Sequence, residues 1–109
     1  MPGLFDPLRL KDVTVRNRVT IPPMCQYSAV DGVPGDYHLV HLGARAMGGA
    51  GLVFCEETAV EYRGKKSYHC AGIYDDTHIP QYRRINDFLR AHGAVPAIQL
   101  GHGGRKGSG

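Results

Sequence analysis

Apolar residues along this chain fall into two kinds of pattern. Three short runs are almost continuous: Val19-Thr20-Ile21, closed by Pro22-Pro23; Gly51-Leu52-Val53-Phe54-Cys55, closed by Glu56-Glu57-Thr58; and Ala94-Val95-Pro96-Ala97-Ile98-Gln99-Leu100, closed by Gly101. Near-continuous rather than alternating runs suit strands buried on both faces of a parallel sheet. Between them, apolar positions recur at helical spacing. Tyr37, Val40, Ala44 and Met47 predict a helix over 37–47, with Asp36 as N-cap and Gly48-Gly49 as the stop. Ile79, Tyr82, Ile85 and Leu89 predict a second helix over 79–92, capped by Asp76 or Thr77, with Pro80 in its first turn and Gly93 at C′. Upstream, Leu8-Arg9-Leu10 and Val13-Thr14-Val15 flank Lys11-Asp12 and predict a small β-hairpin.

The order β-α-β-α-β after the hairpin implies a parallel sheet with right-handed crossovers. Three strands do not close, whereas a (β/α)₈ barrel takes roughly 250 residues. A doubly wound sheet fits the pattern equally, and a hairpin ahead of a β/α array could plug the bottom of a barrel. The 109 residues stop at Arg105-Lys106-Gly107-Ser108-Gly109, with no helix to cover the third run, so further sequence is expected to complete the fold.

Composition narrows the function classes. Fifteen glycines cluster at Gly48-Gly49-Ala50-Gly51 and over 101–109, as tight turns rather than a linker. The formal charge is +3 and the basic residues are scattered, which argues against a nucleic-acid surface. No stretch approaches the roughly 20 apolar residues of a membrane span. Cys25, Cys55 and Cys70 form no CxxC pair, and the odd count suits a reducing compartment. With no secretory signal pattern at the start, a cytoplasmic protein is expected.

In parallel β/α folds, ligands bind outside the carboxyl ends of the strands. Those ends carry Pro22-Pro23-Met24-Cys25-Gln26-Tyr27, Glu56-Glu57-Thr58, and 99–105. Here the sequence resembles a known family. Asn17 to Tyr27 (NRVTIPPMCQY) is similar to the first-strand signature of the Old Yellow Enzymes, and the Cys25 and Tyr27 pair points to the xenobiotic-reductase and thermophilic-like ene-reductase subgroup. Gln99 to Lys106 (QLGHGGRK) resembles the third-strand motif of that family, and Leu4-Phe5 with Leu8 resembles its opening.

The resemblance implies an α/β fold: the hairpin, first three strands and two helices of a (β/α)₈ TIM barrel, with 1–109 an incomplete N-terminal segment of one FMN-binding domain. It implies a non-covalent FMN, reduced by NAD(P)H and reoxidised by an activated alkene, and a homo-oligomeric whole enzyme. Hydride would pass from flavin N5 to the β-carbon of an α,β-unsaturated carbonyl compound. Pro23, Met24 and Cys25 would wall one face of the isoalloxazine, with Cys25 tuning its potential rather than acting as a nucleophile. Tyr27 would direct its hydroxyl to the substrate carbonyl. Gln99 offers both a donor and an acceptor to the pyrimidine edge. Glu57 departs from the pattern, which has a small residue where the backbone contacts flavin. A buried unpaired carboxylate is costly, so Glu56 or Glu57 is expected to turn outward or to pair with a base from the rest of the barrel.

Other readings stay open. His38 and His41, spaced i, i+3, mimic a metal pair but lack an evident third ligand, and the set Cys55, His69, Cys70 lacks ligand spacing. Gly101-His102-Gly103-Gly104 looks like a phosphate loop without GxGxxG or the P-loop lysine order. A non-catalytic fragment, one chain of a split barrel, and a metal-dependent TIM-barrel hydrolase are the alternatives to an ene-reductase.

Overall fold

The computed structural model describes residues 3–104. Arg105, Lys106 and the rest of the glycine-rich tail lie outside the described residues. Strands β1 (Leu8–Leu10) and β2 (Val13–Val15) form the expected antiparallel hairpin, with Leu8 opposite Val15 and Leu10 opposite Val13. Then follow β3 (Thr20–Ile21), α1 (Asp36–Met47), β4 (Leu52–Ala59), α2 (Ile79–Ala91) and β5 (Val95–Gly101). Strands β3, β4 and β5 are neighbours in one parallel sheet, in sequence order. Among the described residues, no helix is long and apolar enough to cross a membrane.

Both helices lie on one face of this sheet. The core between the layers holds Leu42 and Ala46 of α1, Tyr82, Ile85 and Leu89 of α2, and Val53 and Cys55 of β4. Ile21 and Ile98 pack against it from the flanking strands. Because in-register residues of a parallel sheet share a face, Leu52, Val95, Phe54 and Ala97 point the other way, onto the concave side.

The structure corrects three details of the pattern. The inward side of α1 is His38, Leu42, Gly43 and Ala46, while Tyr37, Val40, Ala44 and Met47 are exposed. Gly43 is required there, since a Cβ would stand 2.7 Å from the Phe88 ring of α2. The N-cap of α1 is Gly35, not Asp36; Asp36 instead takes the Arg84 guanidinium at 2.7 Å. Before α2 a turn of 3₁₀ helix, Asp76–His78, is capped by Asp75, whose Oδ1 accepts the Thr77 N–H at 3.0 Å. Asp75, rather than Asp76 or Thr77, therefore starts that helical stretch, and Ile79 of the expected stripe is exposed. Gly93 has φ +85° just past α2, as a C′ glycine should.

The amino ends of the strands are tied by polar side chains. Arg16 donates to the carbonyls of Ala46 (2.8 Å) and Ala50 (3.0 Å), placing a cation on the last turn of α1. Asn17 donates to the Gly49 carbonyl at 2.7 Å and accepts the Val19 N–H at 3.0 Å. Gly51 passes so close beneath this turn that a Cβ would lie 2.6 Å from the Asn17 carbonyl oxygen. Backbone cannot retreat as a side-chain tip can. Gly51→Ala is therefore expected to destabilise the protein by about 1–3 kcal/mol, read as a lowered Tm; an unchanged Tm would contradict this packing.

Candidate functional site

The carboxyl end of β3 stops where Pro22 and Pro23 remove two ladder donors. The chain then runs without regular secondary structure to Tyr27, which has φ +52°, a left-handed conformation uncommon for a residue with a Cβ. Gln26 organises this segment. Its N–H donates to Glu56 Oε2 at 2.6 Å, its carboxamide donates to the Met24 carbonyl at 2.8 Å, and its Oε1 accepts the Tyr37 hydroxyl at 2.9 Å. Met24 and Tyr27 are left exposed, with Pro23 and Cys25 half-buried.

Strand β4 runs through Glu56-Glu57-Thr58 to Ala59 instead of ending before them. Its register with β5 slips there: Cys55 faces Ile98 and Glu57 faces Gln99, so Glu56 is the extra residue of a β-bulge. The bulge puts Cys55 and Glu56 both on the helix side and returns Glu57 to the concave side. Glu56 is buried, accepting from His38 Nε2 of α1 at 3.0 Å as well as from Gln26. The Thr58 hydroxyl donates to the Glu56 carbonyl at 2.7 Å, satisfying the backbone at the bulge.

Glu57 and Gln99, in register, share the concave face at the carboxyl end. The Glu57 side chain crosses Gly101, where a Cβ would lie 2.5 Å from its Cγ, and meets Lys66 Nζ at 2.9 Å. Both glutamates thus find partners within this chain, Glu56 in His38 and Gln26 and Glu57 in Lys66, instead of turning outward or awaiting an external base. The Gln99 carboxamide is exposed and, among the described residues, has no hydrogen-bond partner. Beyond it the loop is held by His102, whose Nε2 pairs with Glu61 at 2.6 Å and whose Nδ1 accepts the Gly104 N–H at 2.9 Å.

Cys25, Glu57, Lys66 and Cys70 line one small cleft. Burial, with Cys70 and Glu56 nearby, pushes the Cys25 thiol above its ordinary range, and Lys66 opposes the rise. Cys55, deeper in the core, is pushed up to about 11 by burial and by Glu56. The sequence-derived residues Cys25 and Glu57 therefore meet in one place, with Gln99 beside Glu57 on the same face and Met24 and Tyr27 flanking Cys25. Sequence reasoning missed Lys66, the pairing of His38 with Glu56, and the bulge. The pair Lys65-Lys66 was visible just downstream of β4, but nothing in the pattern tied it to Glu57. His38 has both ring nitrogens engaged, by Gly35 and Glu56, and does not present itself as a metal ligand with His41.

Comparison with known proteins identifies the family and the fold. The NADH:flavin oxidoreductase / NADH oxidase family matches residues 3–108. The chain is 45% identical over 108 residues to an NADPH dehydrogenase of Listeria monocytogenes serotype 4a, covering 97% of this chain and 32% of that protein. An NADPH dehydrogenase of Bacillus cytotoxicus is 44% identical over 105 residues, with 94% and 30% covered. Among solved structures, morphinone reductase in complex with tetrahydroNAD superposes with a TM-score of 0.90 at 32% identity, over 98% of this chain and 29% of that one. The old yellow enzyme from Trypanosoma cruzi superposes with a TM-score of 0.84 at 31% identity, over 95% and 28%. The chain spans about a third of the length of these relatives. Its fold is accordingly the opening part of a TIM barrel: the hairpin, three barrel strands and two helices.

The electrostatics of Cys25 have a direct readout. A raised thiol keeps its proton to higher pH, so its alkylation rate should rise with a midpoint above the roughly 8.5 of a free cysteine. Lys66→Met removes the opposing cation among the described residues and should move that midpoint further up. A midpoint below that of free cysteine would contradict the placement of Cys25.

Proposed function

Because the chain belongs to the NADH:flavin oxidoreductase / NADH oxidase family, that of the Old Yellow Enzymes, we propose that it supplies the N-terminal part of an FMN-dependent NAD(P)H oxidoreductase that reduces activated C=C bonds of α,β-unsaturated carbonyl compounds. Residues 1–109 are then one segment of a single FMN-binding barrel domain, completed by the remainder of the barrel. The observation that carries the reading is at the carboxyl ends of three adjacent parallel strands. There, a carboxamide on β5 that has no hydrogen-bond partner among the described residues stands in register with Glu57 on β4, next to the segment bearing Met24, Cys25 and Tyr27.

The donor set fits FMN. A flat, largely apolar ring needs an apolar wall and a few polar groups at its edge. Pro23, Met24 and Cys25 offer the wall, and the Gln99 carboxamide offers one donor and one acceptor to the pyrimidine edge. The feature that could spoil the fit is the Glu57 carboxylate, because an unpaired negative charge beside the ring would disfavour its reduction. Lys66 pairs with that carboxylate at 2.9 Å and balances its charge, and on this reading the Glu57 backbone amide would meet the ring. The chemistry that FMN supplies when bound is two-electron transfer from NAD(P)H to the alkene. The protein's part is orientation and exclusion of water. On this reading the hydroxyl of the exposed Tyr27 would meet the substrate carbonyl, and Cys25, as a thiol, would lie against the ring and tune its potential.

Three free thiols, two of them buried, suit the reducing cytoplasm in which we place the enzyme. A homo-oligomer is proposed for the whole enzyme; the outward stripe Val40, Ala44 and Met47 offers an apolar surface for it.

Gln99 is the residue to test. Gln99→Leu keeps the volume but removes donor and acceptor, leaving polar atoms of the cofactor unpaired at about 1–3 kcal/mol. FMN affinity of the complete apoprotein, followed by quenching of flavin fluorescence, should fall about 5- to 150-fold. A mutant that melts lower yet binds FMN like the wild type would make Gln99 a structural amide and remove the reading's main support.

A further inference from the structure

Behind the sheet, two backbone donors converge on one buried pair of side chains. The Gly35 N–H donates to His38 Nδ1 at 3.1 Å. This leaves the imidazole proton on Nε2, from which His38 donates to Glu56 Oε1 at 3.0 Å. The Gln26 N–H donates to Glu56 Oε2 at 2.6 Å. The two side chains are 2% and 1% exposed, so water is no substitute for either partner.

The directions of these bonds restrict what can stand at position 56. Both groups aimed at it are donors, and a carboxylate side chain offers an oxygen acceptor to each. A carboxamide would turn its NH₂ onto either Gln26 or His38. Switching the His38 tautomer would only move the conflict to the Gly35 N–H. The chain is satisfied in one way.

Its outer end is the candidate site. Gln26 lies between Cys25 and Tyr27, in a segment whose two prolines supply no N–H and whose Tyr27 holds φ +52°. The other side-chain hydrogen bonds of this segment among the described residues are local or exposed. Resting on the flavin reading above, we propose that Glu56 is a positioning residue: it anchors the Gln26 amide to α1 through His38, and so sets how Met24, Cys25 and Tyr27 are presented to cofactor and substrate. Glu56 touches neither; it acts through the loop. The β4 bulge is what lets a residue so near the site reach it from behind.

The test uses the complete protein with Glu56→Gln, His38→Leu, His38→Gln and, as a control in the same core, Leu42→Ala. FMN affinity and the visible flavin spectrum are measured, together with the alkylation rate of Cys25 in the apoprotein. Labelling is followed on the Cys25-containing peptide by mass spectrometry, with the buried Cys55 and Cys70 as internal controls. Glu56→Gln and His38→Leu should weaken FMN binding roughly tenfold or more, shift the flavin bands and raise Cys25 reactivity several-fold. His38→Gln restores a donor toward Glu56 and should stay within about threefold of wild type. Leu42→Ala should lower Tm alone. If the Glu56 and His38 variants melt lower but keep wild-type FMN affinity, spectrum and Cys25 reactivity, the positioning role is overturned and the pair is structural. If the wild-type protein takes up no FMN, the flavin reading fails, while the Cys25 rates still decide the positioning claim: a rise supports it and unchanged rates overturn it. Should Glu56→Gln fail to fold, the contrast between His38→Leu and His38→Gln carries the same decision.

Discussion

The Glu56 carboxylate, swung into the helix layer by the β4 bulge, is the contact through which sheet, helix and candidate site are joined. A strand alternates its side chains with a period of two. Had β4 run without its extra residue, Glu56 would face the concave side and Glu57 the helices. Instead Cys55 and Glu56 both face inward, and Glu57 arrives in register with Gln99. The same shift brings a negative charge under α1, where His38 receives it, and next to the chain leaving β3, where Gln26 does. One backbone irregularity therefore decides both what lines the strand ends and how the first loop is held.

The two ends of the sheet divide stability from chemistry, as β/α folds do. At the amino ends, Arg16 and Asn17 fasten the turn after the hairpin to the end of α1 and the start of β4, with Gly51 in close backbone contact. Those contacts are short, join residues 30 to 34 positions apart in sequence, and are free of titratable pairs. At the carboxyl ends lie an exposed amide, a half-buried thiol, a carboxylate bridged to a lysine and a left-handed tyrosine. Such groups are stable only in a built environment, and Glu56, Lys66 and His102 are what build it from this chain.

The three strands, two helices and hairpin were legible because continuous apolar runs and glycine and proline punctuation rest on simple physics. The errors have equally physical causes. The buried side of α1 is made of a histidine, a glycine and an alanine around Leu42, so hydropathy pointed to Val40 and Met47 instead. Gly35 displaced Asp36 as N-cap because His38 accepts the Gly35 N–H. The pair Glu56-Glu57 looked like the end of a strand because two charges seldom continue one. They do so here because each has a partner that lies 18 or 9 residues away in sequence. Cys25, Tyr27 and Gln99 are candidates through motif resemblance, whereas the partners of Glu56 and Glu57 needed the tertiary structure. Local rules failed where the chain departs from them for the site.

The central claim is that FMN lies across the ends of β3, β4 and β5, and a crystal structure of the complete protein with FMN tests it most directly. The account predicts the isoalloxazine against Pro23, Met24 and Cys25, the Gln99 carboxamide within hydrogen-bond distance of its pyrimidine edge, and the Glu57 carboxylate still drawn to Lys66. A flavin bound elsewhere, or one whose pyrimidine edge is met by other residues with Gln99 turned away, would contradict it.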